Sequence, residues 1–321
     1  MSEQYTYAVA RIHAKESSML SAHDMERLLS AAGVDEALGI IAEKGYDTAE
    51  GKAVDEILAC EREKTHKLIS ELVGDMSAFD IFFLENDFQN LKAAVKSAVS
   101  SEAGGNIYVS GGTVPKELID YAVKNREFEK LPDFLGDIAE KALKALLETN
   151  DGGLCDLMID RAYLEQLLKK GQESDSHMVR RYAEIYTAMS DIRIAVRGCR
   201  LEKSREFFKR SLVECKTLSV DLLAEASAKS MDDLYEYLLM TDYSAAVEVI
   251  KESYVAFEKW CDDKVMYELR KEKYNNFTIG PVAAYILAKE AELKAVGLIL
   301  TAKLNNLEMS VIRERLRELY V

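Results

Sequence analysis

The chain has few of the residues that interrupt helices, with three prolines and sixteen glycines in 321 residues. Proline removes a backbone donor and clashes with the preceding helical turn, whereas glycine weakens a helix through its conformational freedom. Both residues are rarer here than in an average globular protein. Because 48% of the residues are hydrophobic, the chain can bury a sizeable core, and we expect its backbone to form long helices.

The sequence also lacks an excess of positive charge, a long apolar run and a secretory leader. A formal charge of −14 argues against binding to nucleic acid or to anionic lipid headgroups. The longest uncharged stretch, residues 274–288, contains Gly280 and Pro281 and is too short to span a bilayer. Residues 1–11 include Glu3 and have no basic and apolar signal regions, so we expect a cytoplasmic protein without a transmembrane helix.

Residues that carry metal or nucleophilic chemistry are sparse. The five cysteines form no Cys-x-x-Cys pair, and the four histidines, His13, His23, His66 and His177, are scattered and show no His-x-x-x-His spacing. Neither a disulfide framework nor a zinc site is indicated, and we expect most cysteines in the core. There is no G-x-S-x-G motif and no cysteine with the surroundings of a nucleophile. The sequence therefore predicts no catalytic residue, no metal and no cofactor.

Apolar residues recur three and four positions apart through most of the chain. The stripe runs over residues 134–147, and it is repeated over 163–170 and 178–200. This is the period of an amphipathic helix, so the sequence predicts an all-α fold. Residues 102–115 contain four glycines and a proline and are expected to form a linker, whereas Asp151-Gly152-Gly153 is expected to separate two helices.

A weak repeat with a period of 101 residues runs through the chain. Its copies are Asn90-Leu91-Lys92-Ala93, Asp191-Ile192-Arg193-Ile194 and Glu292-Leu293-Lys294-Ala295. A second landmark keeps nearly the same distance from the first in each copy, and it consists of Glu61, Asp160 and Asp262. One copy of a repeat is a unit that needs its neighbours to bury its apolar face. We therefore predict three helical units, at residues 1–105, 106–215 and 216–321, that together form one body.

Two motifs admit a catalytic interpretation. The Gly-Gly-x5-Gly-Gly spacing that ends at Gly112 suggests a phosphate loop, but the lysine and serine that complete such a loop are missing. Asp232-Asp233-x-x-Glu236 suggests the magnesium box of all-α terpenoid synthases, but Asp262-Asp263 has no third carboxylate to form the facing box. We favour a linker for the first motif and an acidic helix start after Ser230 for the second.

Five stretches resemble the C subunit of the archaeal and bacterial V/A-type rotary ATPases, which is the counterpart of the d subunit of the eukaryotic vacuolar enzyme. In chain order they read YAVARIHAKE at 7–16, FLENDFQNLK at 83–92, IDRAY at 159–163, AKEAELK at 288–294 and IRERL at 312–316. The resemblance spans essentially the whole chain. Gln89, where a histidine is expected, and Asp191, where asparagine is commoner, depart from the family pattern.

The resemblance implies three similar helical units arranged with pseudo-threefold symmetry as a funnel. It also implies a non-catalytic component of the central stalk, held on the cytoplasmic face of the membrane by its complex. The partners would be the central shaft and the ring of membrane proteolipid subunits, and the chain would transmit rotation between them for ATP-coupled proton or sodium transport. The choice of ion belongs to the ring.

Three cations share one register in the repeat, namely Lys92, Arg193 and Lys294. We predict that they occupy equivalent places around the pseudo-axis and contact the shaft or the ring. Solvated helix faces or intramolecular salt bridges are the alternative for these side chains. For the whole chain, the alternatives are a cytosolic all-α adaptor unrelated to ATPases and, less favoured, a magnesium-dependent enzyme similar to terpenoid synthases.

Overall fold

The computed structural model describes residues 5–49, 51–99, 108–271, 275 and 278–316. Within this part of the chain the backbone forms sixteen α-helices and two short 3₁₀ turns, and it contains no β-strand. The predicted all-α class is confirmed. The helices belong to two compact units, one formed by Met1–Phe82 with Val249–Val321 and the other by Phe83–Glu248. We call them the terminal unit and the middle unit.

The terminal unit combines helices from both ends of the chain. The N-terminal part contributes α1 (Thr6–Glu16), α2 (Ala22–Ser30), α3 (Val34–Glu43), α4 (Val54–Val73) and a 3₁₀ turn at Asp80–Phe82. The C-terminal part contributes α14 (Tyr254–Arg270), α15 (Gly280–Leu304) and α16 (Met309–Arg315). Helix α15 is the centre of this unit, because α1, α3, α4, α14 and α16 all contact it.

The middle unit is built from consecutive helices. They are α5 (Leu84–Val99), α6 (Lys116–Asn125), α7 (Asp133–Thr149), α8 (Gly152–Glu173), α9 (His177–Arg200), α10 (Arg205–Ser211), α11 (Val220–Lys229) and α12 (Met231–Leu239), with a 3₁₀ turn at Phe128–Lys130. Helix α5 contacts α6, α7 and α8, α8 contacts α7 and α9, and α11 contacts α9, α10 and α12. Helix α13 (Ala246–Glu252) contains the point where the chain leaves this unit.

Helices α7, α8 and α9 coincide with the three predicted stripes, and local chemistry explains where they begin and end. Asn150 adopts a left-handed conformation that ends α7, and the Asp151 carboxylate then accepts the Leu154 N–H at 3.0 Å to begin α8. Gly171 lets α8 and α9 approach closely, since a Cβ there would lie 2.5 Å from the Ala183 Cβ. The predicted break at residues 151–153 is confirmed.

Each unit buries the apolar stripes of its long helices. In the terminal unit, Val296, Ile299 and Leu300 of α15 pack with Ile41 and Ile57 in one hydrophobic core. In the middle unit, the fully buried side chains include Leu91, Ile119, Leu135, Leu167 and Ile192. Cys155, Cys215 and Cys261 are buried, as expected for most of the cysteines.

The glycine-rich segment forms no helix in its described part, residues 108–115. Residues 102–107 of the predicted linker lie outside the described residues. The division into three units, their pseudo-threefold symmetry and the funnel remain predictions. Among the described helices, none is long and apolar enough to cross a membrane.

Candidate interface with partner proteins

Lys92 is bound within the middle unit. It lies on α5, and its Nζ is 2.5 Å from Oδ1 of Asp160 on α8, with only 15% of the lysine side chain exposed. One turn further along α5, Lys96 Nζ lies 2.7 Å from Oδ2 of Asp156. The two ion pairs link α5 to α8. For Lys92, the intramolecular salt bridge that was the alternative interpretation is therefore present.

Arg193 lines a cavity of about 360 Å³ between α5, α8, α9 and α10, which we call the α8–α9 groove. Asp160, the partner of Lys92, lines the same groove. Burial raises the pKa of the Asp160 carboxyl, and its hydrogen bond to Lys92 opposes that effect only in part. The structure thus brings together two residues of the sequence repeat, Asp160 and Arg193, that are separated by more than 30 residues in the chain.

The remaining lining of the groove is mostly apolar and comes from one face of each long helix. On α8 this face repeats at Gly153, Leu157, Asp160 and Leu164. On α9 it repeats at Tyr186, Ser190, Arg193, Ile194 and Arg197, and Leu201 follows directly after the end of α9. Phe88 of α5 and Phe207 of α10 complete the walls. The surface is a helical groove with charged edges.

Lys294 has different surroundings. It is exposed on α15 of the terminal unit, two residues after the buried Glu292. Lys92, Arg193 and Lys294 share a register in the repeat, but Lys92 and Arg193 are partly buried whereas Lys294 is exposed. An equivalent interface role for the three cations stays a prediction.

The sequence analysis identified the residues that open the three repeat copies, but it assigned them no structural role. Asn90, Asp191 and Glu292 are spaced by 101 residues, and at most 1% of each is exposed. Each accepts a hydrogen bond from a backbone N–H of a connecting segment, from Val109, Val213 and Leu20 respectively. A polar residue recurring inside an apolar helical stripe was the available signal.

Asn90 binds its connecting segment in both directions. The Val109 N–H donates to Asn90 Oδ1 at 2.7 Å, and Asn90 Nδ2 donates to the Val109 carbonyl at 2.9 Å. One helical turn earlier, Asp87 accepts the Thr113 hydroxyl at 2.5 Å and the Val114 N–H at 3.0 Å. The connection is thereby aligned along α5.

The same contacts argue against a phosphate loop at Gly111 and Gly112. A Cβ built on Gly112 would lie 2.2 Å from Asp87 Oδ1, so the glycine is needed for the carboxylate to approach the chain. The Thr113 hydroxyl and the Val114 N–H already donate to Asp87, so these two donors of the segment are not available to a phosphate. In its described part, the segment behaves as a connection, as the favoured interpretation predicts.

Asp191 holds its connection with less complete hydrogen bonding than Asn90. The Val213 N–H lies 3.2 and 3.3 Å from the two carboxylate oxygens of Asp191. Burial raises the pKa of Asp191 well above its usual range, although the Val213 N–H and the charge of Arg161 favour the ionised form. A buried carboxylate is costly where a neutral amide would accept the same bond.

Glu292 belongs to a buried network of charges in the terminal unit. It accepts the Leu20 N–H at 2.6 Å, the Tyr46 hydroxyl at 2.6 Å and the Lys289 ammonium at 2.6 Å. Lys289 also lies 3.7 Å from Glu61, which binds Lys64 on its outer side. Burial and the charge of Glu292 raise the pKa of Tyr46, so this hydroxyl stays a donor. The network ties the start of the chain to α15.

The Asp232-Asp233 motif lies in the first turn of α12. Ser230 Oγ accepts the Asp233 N–H at 3.1 Å and donates to the Asp233 carboxylate at 2.5 Å. The predicted acidic helix start after Ser230 is confirmed. Across the described residues, no group of three or more histidine, cysteine, aspartate or glutamate side chains is arranged to hold a metal ion.

The chain matches the family model described as the ATP synthase (C/AC39) subunit over residues 8–315. The chain belongs to this family. The match covers both units and all three copies of the repeat, so the resemblance on which the sequence interpretation relied is confirmed. The buried acceptors Asn90, Asp191 and Glu292 are therefore features of an ATP synthase C/AC39 subunit.

Two relatives of this C/AC39 subunit span nearly the same length. The C subunit of the V-type sodium ATPase of Enterococcus hirae is 23% identical over 322 residues, covering 96% of this chain and 97% of the relative. The C subunit of the A-type ATP synthase of Methanocaldococcus jannaschii is 22% identical over 348 residues, covering 97% and 86%. These names indicate the C subunit of a V/A-type ATPase.

Proposed function

We propose that this chain is a non-catalytic central-stalk subunit of a rotary V/A-type ATPase. It joins the central shaft to the proteolipid ring on the cytoplasmic face of the membrane and transmits rotation between them for ATP-coupled proton or sodium transport. The observation that carries this proposal is the family match over residues 8–315, which includes nearly all of both units.

The internal construction of the two units supports a mechanical role. A part that transmits torque has to resist shear, and close-packed helical interiors have low compressibility. Here the connections between helices are also bonded to helix side chains, as at Asn90 with Val109 and Glu292 with Leu20. Such bonds limit the sliding of a connection along its helix. The predicted three units, arranged around a pseudo-axis as a funnel, would suit a protein that joins a ring to a single shaft.

A pull-down tests the proposed partners. The full chain carries an affinity tag in native membranes, and its complex is extracted with a mild detergent and analysed by mass spectrometry. We expect recovery of the proteolipid ring and of the shaft subunits. A stable tagged protein recovered without them would contradict the proposal and favour the cytosolic adaptor.

A second experiment tests the non-catalytic role. In membranes that lack this chain, we expect the catalytic part of the complex to hydrolyse ATP while ion transport is lost, because rotation no longer reaches the ring. Adding back the full chain should restore transport. Transport that persists without the chain would rule out a role as the connector.

A test of the interface role of the three cations has to reverse their charges without breaking the ion pair between Lys92 and Asp160. Lys92→Asp alone would place a second carboxylate next to that of Asp160. It is therefore combined with Asp160→Lys, which keeps an ion pair at this place. Arg193→Glu and Lys294→Glu are tested singly and together with this exchange. We expect weaker binding to shaft or ring in the combined variant. Unchanged assembly would leave these cations with structural roles only.

A further inference from the structure

Two large apolar side chains at the end of α12 are left exposed to water. Leu239 is 58% exposed, and Met240, the residue that caps the helix, is 85% exposed, more than any other large hydrophobic side chain among the described residues. Leu234 and Leu238, on another face of α12, are fully buried and hold the helix in the middle unit. The exposed pair is therefore not needed for the packing of α12.

Leu222 of α11 extends this apolar surface. The Ser219 N–H donates to the Tyr237 hydroxyl at 3.0 Å, so the start of α11 lies beside the end of α12. Leu222 comes about one turn after Ser219 and is 56% exposed. Apolar side chains that are exposed together mark places where other proteins bind, because binding removes their surface from water. We call Leu222, Leu239 and Met240 the α11–α12 surface.

The segment that carries this surface is strongly acidic. Residues 220–245, from the start of α11 to the start of α13, contain six acidic residues and one basic residue, whereas the whole chain has 56 acids and 42 bases. The two acids of α11 are balanced, since Asp221 lies 2.9 Å from Lys209 and Glu225 lies 2.9 Å from Lys229. The excess of negative charge therefore belongs to α12 and to the turn that follows it.

Two of these acids lie on either side of the exposed apolar pair. Glu236 precedes Leu239 and Met240 by three and four residues, which places it on the same face of α12, and Asp242 follows Met240 by two residues. Both acidic side chains are exposed. Neither forms an ion pair with any other residue that the structure describes. Their charges are therefore available to a partner.

These charges decide which partner the surface fits. Carboxylates beside the apolar side chains repel nucleic acid, anionic lipid headgroups and the same surface of a second copy of this chain, since all of these are negatively charged. Lysine or arginine side chains of another protein complement them. Met240 adds adaptability, because a methionine side chain is flexible and packs against partner side chains of different shapes.

We propose that the α11–α12 surface binds a basic segment of another protein of the complex, in which apolar side chains cover Leu239 and Met240 and lysine or arginine side chains face Glu236 and Asp242. The proposal rests on the proposed function in one respect, because it takes the partner from the same complex. It assigns an interface formed by residues other than the three cations of the repeat.

The first test uses the full chain and two fluorescent peptides of about eighteen residues with the same composition. In one peptide, leucines form a stripe along one face of a helix and lysines flank the stripe, and in the other the same residues are scrambled so that no stripe forms. We expect the striped peptide to bind at least about tenfold more tightly in fluorescence anisotropy, because only this peptide presents apolar and basic side chains together. Equal binding of the two peptides, or no binding of either, would overturn the proposal.

Charge reversals locate the binding site. Glu236→Lys with Asp242→Lys should weaken binding of the striped peptide by at least about tenfold. Asp137→Lys with Glu140→Lys makes the same change in net charge at exposed acids of α7, and it should have little effect on the affinity. All four side chains are exposed, so both variants should stay folded, as circular dichroism can verify. Equal losses in the two variants would show that the peptide responds only to the overall charge of the chain.

A second pair of variants tests the apolar part of the surface. Met240→Ser should lower the affinity for the striped peptide about fivefold, because it removes the most exposed apolar side chain of the surface. Leu147→Ser is the matched control at the end of α7, where the leucine is also exposed, and it should leave the affinity unchanged. An unchanged affinity in Met240→Ser would contradict the proposed contact.

The assembled complex separates this proposal from the proposed function. A photo-crosslinking residue replaces Met240 in the full complex, and the crosslinked peptide is identified by mass spectrometry. We expect a segment with lysine or arginine residues from another protein of the complex. An assembled complex in which this position crosslinks only to lipid, to a second copy of this chain or to nothing would overturn the surface proposal and leave the proposed function standing. A chain that recovers no other ATPase component would contradict the proposed function, whereas the peptide test would still decide whether the surface binds a basic segment.

Discussion

Asn90 and Asp191 perform the same task at positions 101 residues apart, but with different chemistry. Each accepts the N–H of the residue seven positions before the next helix of its unit, Val109 before α6 and Val213 before α11. Asn90 also donates to the carbonyl of its partner residue at 2.9 Å. Asp191 has no proton to donate when its carboxyl is ionised, and its side chain is fully buried.

Asp191→Asn should stabilise the protein at neutral pH. An amide keeps the acceptor for the Val213 N–H, supplies the kind of donor that Asn90 uses, and cannot ionise in this buried position. We expect the free energy of unfolding to rise by about 1 to 2 kcal/mol at pH 7, as measured by urea denaturation. Asp191→Ala is the control and should destabilise, because it leaves the Val213 N–H without its acceptor. A lower stability for the asparagine variant would contradict this account.

The gain from Asp191→Asn should depend on pH. The pKa of Asp191 is raised in the folded state, so the folded protein binds more protons than the unfolded one above the ordinary carboxyl pKa of about 4. The contribution of Asp191 to stability is therefore full below that pH and is lost as the pH rises through the folded-state pKa. We expect the advantage of asparagine to be small near pH 4 and to grow toward pH 7. An advantage that is constant across this range would mean that Asp191 stays in one protonation state.

Asn90→Asp makes the opposite exchange and should destabilise. The carboxylate would still accept the Val109 N–H, but it would face the Val109 carbonyl without a donor at a position that is 1% exposed. We expect a loss of at least about 2 kcal/mol at pH 7, partly recovered at low pH where the carboxyl is neutral. Thermal unfolding at two pH values measures both effects. A variant as stable as the parent would show that the donor bond contributes little.

Lys289→Met should be strongly destabilising for the terminal unit. Lys289 lies between Glu61 and Glu292, so its removal leaves two buried carboxylates without their shared cation. Breaking a buried ion network typically costs about 3 to 5 kcal/mol. The matched control is Lys64→Met, since Lys64 is half exposed and binds the outer side of Glu61 and the Gly45 carbonyl, and it should cost less than about 1 kcal/mol. Equal losses in the two variants would argue against the buried network as the source.

Gly112→Ala tests the close approach of Asp87 to its connection. The new methyl group would lie 2.2 Å from Asp87 Oδ1, so either the carboxylate or the backbone has to move and the bonds to Thr113 and Val114 weaken. We expect a loss of about 1 to 3 kcal/mol in denaturant unfolding. Gly39→Ala is the control in the interior of α3, where nothing lies within 4 Å, and it should stabilise by about 0.5 to 1 kcal/mol. A neutral Gly112→Ala would show that the segment adjusts freely.

Local sequence patterns predicted much of the helical organisation. The stripe over residues 134–147 lies within α7, the break at Asp151 separates α7 from α8, and Ser230 begins α12 with Asp233 in its first turn. These features depend on residues within one or two helical turns, which are neighbours in the sequence as well as in space. The linker was likewise predicted from its glycines, but its attachment to Asp87 and Asn90 was not.

The sequence by itself determined the all-α class, several helix ends and membership of the ATPase subunit family, because these follow from periodicity, capping and the order of short motifs along the chain. Only the tertiary structure decided that Lys92 binds Asp160, that Arg193 lines a groove, and that Glu292 accepts the Leu20 N–H from the other end of the chain. The physical reason is distance along the chain. A helical period determines which face of a helix is buried, but it contains no information about which distant polar group will meet that face.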